Sequence, residues 1–301
     1  MGIGVLELQF LLHEHKHKPF TGEILSIGRQ ATALTEKLTA RFMKEYDVKP
    51  GKNAFVEFDT SRAPHPDGSL MLTDKSLFSL FCDAKFLAAD ISDYEQPDFV
   101  FDICGKVPWK YRNRFDFVMD GGSLDNVFDT FRMMANMTQM LKPGGRMFLT
   151  PWINSHPTAY VKLSPDWVMD YYAVNEFEDA KVYIYEGRIA DNDRFAQAIW
   201  QYDPVTQPGT YTIASITSSN IQQLYAIAVK AKKTTHNKHA IQQHYRGKNR
   251  EPYLTSAARF QNSDRPIFHS PNFSRGQINE ISNQNAMRHI GTVGPAPSVS
   301  N

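Results

Sequence analysis

The stretch from residue 86 to residue 152 constrains the fold of this chain more than any other part. Short apolar runs alternate there with one long helical pattern, and three of the runs end on an acid: Asp90, Asp102 and Asp120. This layout is typical of a parallel sheet in an α/β fold, in which ligands bind beyond the carboxyl ends of the strands. The three acids are therefore candidates for binding a nucleoside.

An earlier strand-turn-helix unit is where the chain would first approach a nucleotide. The run EILSIG ends at Gly28 and is typical of a buried parallel strand, while residues 31–46 show helical spacing. The turn between them, Gly-Arg-Gln-Ala, has one glycine where a dinucleotide fingerprint has three. Gly28 either lets a ligand approach the backbone or only ends the strand. The thin glycine pattern argues against a nicotinamide cofactor.

The last part of the first stretch resembles a known enzyme family in the order and spacing of its pieces. These pieces are FDFVMDGG, SLDNVFDTFRMMANMTQM, LKPGG and RMFLTPW. They resemble the fourth strand, its helix, a turn and the fifth strand of class I methyltransferases that use S-adenosylmethionine, in particular a bacterial small-molecule group with an SDYE sequence after strand two. The resemblance covers roughly residues 22 to 190. It implies an α/β, Rossmann-like, doubly wound sheet of about seven strands, mostly parallel with an antiparallel last strand.

The resemblance also implies roles for the residues at the strand ends. Asp90 would accept hydrogen bonds from the ribose hydroxyls, because a carboxylate accepts from two donors at once. Asp102 and Ile103 would hold the adenine, and Asp120 with Gly121 would lie where the donor's amino-acid part meets the acceptor. Each acid has a plainer interpretation as a capping or strand-end residue. The cofactor-binding candidates are Gly28, Arg29, Asp90, Ile91, Asp102, Ile103, Asp120 and Gly121.

The choice of Asp90 depends on where the second strand lies. A dinucleotide fold places the ribose acid roughly 20 residues past the glycine turn, which would favour Asp59. We prefer Asp90, because residues 77–81 have the pattern of a helix that leads into a strand at 86–89. Residues 47–75 then form an insertion, and Asp59 is an exposed acid on a hairpin.

The catalytic candidates are Asp120 and His156. Related sequences often carry Glu-His at the start of the helix after strand four, where this chain has Asp125 and Asn126. A histidine base is therefore absent at that point. An amine acceptor needs no dedicated base, whereas a hydroxyl acceptor would use Asp120 or His156. His156 is otherwise an ordinary loop residue.

The predicted domain plan has three parts. Residues 1–21 are a solvated lead-in containing HEHKHKP, whose histidines lack the partners of a metal site. Residues 22–233 are the methyltransferase-like domain, with insertions near 47–75 and 189–223. The runs AKVYIYEGR and LYAIAVKAK are the candidates for the antiparallel pair that closes the sheet. Residues 234–301 are a basic, polar extension.

The charge of the chain is unevenly distributed. Residues 231–301 hold ten Lys or Arg and three acids, a net charge of +7, and the total of +1 leaves −6 for the first 230 residues. Because few apolar runs occur in this tail, it cannot bury enough surface for a core of its own. We expect an extended, solvated arm or a partly disordered extension, which packs on its own domain or on a second subunit of a homo-oligomer. Nucleic-acid binding is the less favoured alternative.

The composition is typical of a globular protein and disfavours a disulfide-rich or membrane-spanning one. An apolar fraction of 42% and two cysteines, Cys82 and Cys104 within apolar runs, are typical of a reduced globular protein without a disulfide framework. No apolar run is long enough to span a membrane, and no secretory leader is visible, so we expect a cytoplasmic protein.

The leading hypothesis is a methyltransferase that uses S-adenosyl-L-methionine and acts on a small molecule, either a sugar or a specialised metabolite. The first alternative is a protein that keeps the fold but serves a binding or structural role. The second is a nucleic-acid methyltransferase. Target-base motifs of the Asn-Pro-Pro-Tyr or Pro-Cys type are missing after strand four, which disfavours this last possibility.

Overall fold

The chain forms two compact units in the computed structural model. The structure describes residues 2–65, 67–154, 159–190, 194–202, 220–242, 245–274 and 287–293. The first unit comprises Met1–Leu124 and Asp129–Met147, and the second comprises Asp125–Phe128 and Phe148–Asn301. The predicted boundaries at 21/22 and 233/234 do not coincide with this division and stay predictions.

The first unit contains the strands and helices from the N-terminal half of the chain. Its strands are β1 (Gly2–Ile3), β2 (Glu23–Ile27), β3 (Ala31–Thr32), β4 (Lys85–Asp90), β5 (Phe99–Val100), β6 (Phe115–Asp120) and β7 (Leu141–Leu149), whose last two residues belong to the second unit. Its helices are α1 (Val5–His17), α2 (Glu36–Glu45), α3 (Asp74–Phe81) and α4 (Thr130–Met140).

The sheet of the first unit has the order β7-β6-β2-β4-β5. Strand β2 lies between β4 and β6, is parallel to both, and is buried along Ile24–Ile27 because it has neighbours on each side. Strand β4 is also parallel to β5. With β2 first along the chain, this order places the carboxyl ends of three successive parallel strands at one edge, which is where such sheets bind ligands.

Two predicted helices differ from the observed ones in their starts. Residues 31–46 were predicted as one helix, but Ala31 and Thr32 form β3, which pairs with β1, and α2 begins only after Thr35. The Thr35 side chain accepts from the Leu38 amide, so it caps the helix. The helix predicted at 77–81 is confirmed as the later part of α3.

The prediction of a solvated lead-in at residues 1–21 is wrong. Helix α1 buries Leu8, Leu11 and Leu12, and its Glu14 pairs with the equally buried Arg146 at 2.7 Å. The Arg146 guanidinium also lies 4.7 Å from the centre of the Phe20 ring. The eight-residue apolar segment before the histidines is therefore part of the core of the first unit.

The second unit contains the antiparallel strands and two helices. These elements are α5 (Pro165–Val174), β8 (Asp179–Ala190), β9 (Arg194–Tyr202), β10 (Ile221–Val229), α6 (Glu251–Gln261), β11 (Phe273–Ser274) and β12 (Met287–Val293). Their strand order is β11-β12-β9-β8-β10. The two candidates for the closing pair became β8 and β10, which are antiparallel to each other. Within this unit, Trp152 just after β7 also pairs antiparallel with Gln223 of β10.

The predicted count of about seven strands is too low. Strand β9 lies inside the insertion predicted at 189–223, where it pairs with β8, and β12 from the tail pairs with β9 in turn. The central residues of the insertion, 203–219, lie outside the described residues. The antiparallel part of the sheet therefore extends well beyond the single last strand that the resemblance implies.

The basic tail contributes to the core of the second unit. Helix α6 buries Tyr253, Ser256 and Phe260, and the Ser256 hydroxyl donates to the Ala173 carbonyl of α5 at 2.8 Å. The Arg259 guanidinium donates to the Phe177 carbonyl. The tail therefore packs on its own chain through a helix and a strand, instead of extending as a solvated arm.

Candidate functional site

The strand ends of the first unit bring three of the predicted turns together. Ile27, the last residue of β2, is in register with Ala89 of β4 on one side and with Asp120 of β6 on the other. The residues that follow, Gly28, Asp90 and Gly121, therefore leave the sheet at the same edge. The candidate site is built on this edge.

Gly28 is fixed by its conformation and by its neighbours. Its φ of +74° lies in the left-handed region, and its amide donates to the Ala89 carbonyl at 2.7 Å. A Cβ at this position would lie 3.5 Å from Ser123 Oγ and 3.6 Å from Asp90 Oδ2. The turn after β2 thus faces both the loop after β6 and the end of β4.

Arg29 extends from this turn into an ion pair with a residue that the sequence analysis did not select. Its Nη2 lies 2.7 Å from Oδ1 of Asp74, the first residue of α3. The Asp74 side chain is almost fully buried, and this burial raises the pKa of its carboxyl, an effect that Arg29 opposes. Arg29 Nη1 is buried and has no hydrogen-bond partner among the described residues.

Gln30 is the second residue that the sequence analysis missed. Its amide hydrogen bonds to Asp74 Oδ2 at 2.9 Å, and its side-chain Nε2 donates to the carbonyls of Ile27 and Gly28. These bonds orient the side-chain carbonyl, whose Oε1 is buried without a partner in the described part of the chain. Only its place in the turn could have marked Gln30, since its anchor lies 44 residues away.

Asp120 orders the turn that follows β6. The residue is fully buried, and its two oxygens accept from the amides of Ser123 at 2.7 Å and Leu124 at 3.2 Å. Burial raises the pKa of Asp120 to about 6, while the hydrogen bonds from Ser123, Leu124 and Gly122 limit the rise. The Asp120 carboxylate therefore fixes the conformation of the turn after β6.

Gly121 and Gly122 shape the same turn in different ways. A Cβ on Gly121 would collide with the side-chain carbonyl of Gln30, so the two turns pack directly against each other. Gly122 has a φ of +116°, which L side chains rarely adopt. The requirement for glycine at both positions is thus steric.

Asp90 lies at the end of a parallel strand, as the sequence pattern predicts, and Asp59 does not, while the ribose-binding role of Asp90 stays a prediction. Asp90 ends β4, is half-buried, and accepts from the Ser92 amide at 3.2 Å. Asp59 lies in an irregular segment whose pairing is a single bridge from Phe58 to Leu72. Its carboxylate bonds locally to Ser61. Ile91 is 71% exposed.

Asp102 and Ile103 lie two and three residues beyond β5. Asp102 is exposed, and its carboxylate accepts from the Cys104 amide at 2.8 Å. Ile103 is buried, and its carbonyl accepts from the Asn136 side chain at 2.6 Å. These contacts are local, so the adenine-binding role of both residues stays a prediction.

The second catalytic candidate and its neighbours belong to the second unit. His156 lies outside the described residues. Asp125, in the position where related sequences often carry an acid, is fully buried, and its carbonyl accepts from the amides of Tyr160 and Val161 at 2.8 Å each. Its Oδ2 accepts from the Trp152 amide. Asp125 therefore ties two loop segments of this unit together.

In the described part of the chain, no three or more His, Cys, Asp or Glu side chains come close enough together to hold a metal ion. None of the helices described is both long and apolar enough to cross a membrane. Cys82 is buried, which raises the pKa of its thiol to about 12, and Cys104 is half-buried.

Comparison with known proteins gave structural matches only. No protein-family model matches the chain, and no curated protein matches it. Among solved structures, the chain is similar to the methyltransferase domain (CMeT) of the citrinin polyketide synthase, with 12% identity, a TM-score of 0.39, and coverage of 75% of this chain and 52% of that one.

Two further matches are structures with bound ligands. One is phosphoethanolamine N-methyltransferase 2 of Haemonchus contortus with phosphomonomethylethanolamine and S-adenosylhomocysteine, at 15% identity, a TM-score of 0.37, and coverage of 74% of this chain and 52% of that one. The other is 1,6-didemethyltoxoflavin N1-methyltransferase of Burkholderia thailandensis with its substrate and S-adenosylhomocysteine, at 13% identity, a TM-score of 0.35, and coverage of 75% and 79%.

The chain spans about half the length of the first two matched structures. All three matched structures described above are methyltransferases.

Proposed function

We propose that this chain is a methyltransferase that uses S-adenosyl-L-methionine and acts on a small molecule. One observation carries the proposal: the turn after β2 buries a cationic donor, Arg29 Nη1, and a neutral acceptor, Gln30 Oε1, without partners among the described residues. Buried polar atoms are normally hydrogen-bonded, so an unpaired donor and an unpaired acceptor in one turn fit a ligand that carries both complementary groups. An amino-acid zwitterion supplies the complementary carboxylate and ammonium groups.

The residues of the edge fit the three parts of this cofactor. Arg29 would bind the carboxylate and Gln30 the ammonium of the methionine part, because a guanidinium only donates and an amide oxygen accepts. Asp90 would accept from the ribose hydroxyls. When bound, the cofactor supplies an electrophilic methyl group on a sulfonium. Gly28 would leave room for the ligand beside the backbone, where a side chain would approach Asp90 and Ser123.

Rate enhancement in this proposal comes mainly from positioning. Holding the acceptor, the methyl carbon and the sulfur in line can remove roughly 7 to 11 kcal/mol of barrier. Because both oxygens of Asp120 accept from backbone amides, we assign this residue to the shape of the turn and do not retain it as a general base. His156 stays the candidate base for a hydroxyl acceptor.

Ion pairs formed by arginines of the tail favour a small-molecule acceptor over nucleic acid. Arg246 pairs with Asp170, Arg265 pairs with Asp179, and both arginines are largely buried. Nucleic-acid binding depends on basic side chains that reach phosphates. A chain that ends at Lys233 should lose stability, and nucleic-acid affinity should be weak with or without the tail. A tight, salt-sensitive complex that the truncation abolishes would contradict the small-molecule assignment.

Calorimetry with S-adenosylhomocysteine tests the function directly. We expect a dissociation constant in the micromolar range, about −8 kcal/mol. NAD serves as the control ligand, since the single glycine of the turn disfavours a pyrophosphate. No heat and no thermal shift at millimolar S-adenosylhomocysteine would contradict the proposal. That result would favour a protein that keeps the fold but serves a binding or structural role.

A further inference from the structure

The anchor of the turn after β2 is a buried carboxylate from another part of the chain. Asp74 opens α3, directly after the Thr73 cap, whose side chain accepts from the Ser76 amide. Acids are common in the first turn of a helix because the helix dipole favours negative charge there. Such acids usually face solvent, but the side chain of Asp74 is 1% exposed. A buried charge is retained only with strong partners.

Both oxygens of Asp74 are engaged, and two of their three partners lie in the turn. Oδ1 pairs with Arg29 Nη2 at 2.7 Å and accepts from the Lys75 amide at 2.7 Å. Oδ2 accepts from the Gln30 amide at 2.9 Å. One carboxylate thus fixes the side chain of Arg29 and the main chain of Gln30 at the same time.

These bonds leave a specific pair of atoms unsatisfied. With Nη2 held by Asp74, the remaining terminal nitrogen of Arg29 is buried without a partner in the described chain. Gln30 donates both of its bonds from Nε2 to β2 and the turn, so its Oε1 is the atom left over. Asp74 holds the Arg29 side chain directly, and it holds Gln30 through the main chain, from which the Nε2 bonds then orient Oε1.

We propose that Asp74 is a positioning residue of the cofactor site, which orients Arg29 and Gln30 to receive the carboxylate and the ammonium of the methionine part. This inference rests on the proposed function. The turn after β2 has a single glycine, and its contacts with the Asp74 side chain fix Arg29 and Gln30. It touches neither the methyl group nor the acceptor, and it acts through the two residues of the turn.

Two ligands separate this role from a general effect on folding. S-Adenosylhomocysteine contains the amino-acid part, whereas 5′-methylthioadenosine keeps the adenosine and the thioether but lacks the carboxylate and ammonium. Asp74→Asn should weaken S-adenosylhomocysteine by about 20-fold, because a buried guanidinium loses its partner. It should change the affinity for 5′-methylthioadenosine by less than about twofold, since the groups that bind the adenosine keep their positions.

Arg29→Gln should give the same selective loss. In a double-mutant cycle, Asp74→Asn should add little to Arg29→Gln, since both changes remove one contact. Asp83→Asn is the matched control: Asp83 follows the other end of α3 and accepts from the Lys52 amide, far along the chain from the turn. The control should leave both affinities unchanged. If Asp74→Asn does not fold, Asp74→Glu moves the carboxylate by one methylene and should show the same selectivity.

The outcomes distinguish the positioning role of Asp74 from the proposed function. Equal weakening of both ligands by Asp74→Asn, or no weakening of either, overturns the positioning role. Full additivity with Arg29→Gln also overturns it. Failure of the unmodified protein to bind either ligand contradicts the proposed function itself.

Discussion

The turn after β2 and the basic tail are both rich in polar side chains, and the sequence marks both as possible binding regions. In the turn, Arg29 and Gln30 keep buried polar atoms without partners in the described chain. In the tail, Arg246 and Arg265 are paired with carboxylates of α5 and β8. Arg259 of the tail also has a buried Nε without a partner among the described residues, but its Nη2 donates to the Phe177 carbonyl. A buried donor and a buried acceptor left unpaired in one turn fit a ligand that carries both complementary groups, whereas paired charges stabilise the fold. The number of charges therefore says less than whether they already have partners.

The largest expected effect tests the structural side of this contrast. Asp179 pairs with Arg265 and Lys181, and all three side chains are buried. Asp179→Ala should reduce the free energy of unfolding by about 3–5 kcal/mol, because it removes the carboxylate that two buried cations share. Chemical denaturation measures this loss.

The matched control for that change is Glu176→Ala. Glu176 pairs with Lys233 and Lys238 at the surface, at 3.7 and 3.3 Å. Exposed ion pairs contribute less than about 1 kcal/mol, so Glu176→Ala should change the free energy of unfolding very little. Equal losses of unfolding free energy from Asp179→Ala and Glu176→Ala would contradict the structural role of the tail.

The next effect concerns pH and the turn after β6. The pKa of Asp120 is raised to about 6 from 3.8, so the folded state holds its proton more tightly than the unfolded state does. The contribution of this group therefore improves as pH falls through 6 and is complete near pH 4. Asp120→Asn should flatten that part of the stability profile by up to roughly 3 kcal/mol.

Asp170 provides the comparison in the second unit. Burial raises its pKa to about 7, and Arg246 opposes the rise. Asp170→Asn should flatten the profile from pH 7 downward, and the Asp120 effect should begin about one pH unit lower. Urea titrations at several pH values measure both, and a profile unchanged by Asp120→Asn would contradict its burial as a charge.

A smaller effect is expected for the ribose site. Asp90→Ala should weaken S-adenosylhomocysteine by about 1.5–3 kcal/mol, the scale of hydrogen bonds to a charged group. Asp59→Ala should have little effect, because among the described residues its carboxylate bonds to Ser61 in its own loop. Isothermal calorimetry on both variants measures the ranking, and the reverse order would transfer the ribose role to Asp59.

The smallest effect separates backbone strain from ligand contact. Gly28 and Gly68 both have a left-handed φ, +74° and +83°, but a Cβ at Gly68 would have no neighbour within 4 Å. Alanine at either position should cost about 1–2 kcal/mol of stability. Only Gly28→Ala should also weaken the cofactor in a binding titration. Similar binding losses for both would mean that strain alone is responsible.

The sequence predicted the part of the site that depends on strand ends. Asp90 and Asp120 follow apolar runs that became β4 and β6, so their shared edge could be predicted from the pattern alone. The contact of Asp74 with Gln30 could not, because it joins residues 44 positions apart through side-chain geometry. The burial of α1 was missed for a related reason: Glu14 is neutralised by Arg146, which is 132 residues away.

The pairing of β12 with β9 has a consequence for synthesis. Tyr202 of β9 pairs with Met287, so 85 residues must be added after β9 before its second partner exists. At about 5–20 residues per second, the interval lasts roughly 4 to 17 s. During that time one edge of β9 is open, next to Trp200, which is buried in the finished protein. Open strand edges pair readily with other chains, so nascent chains of this protein should be most prone to aggregation just before β12 emerges.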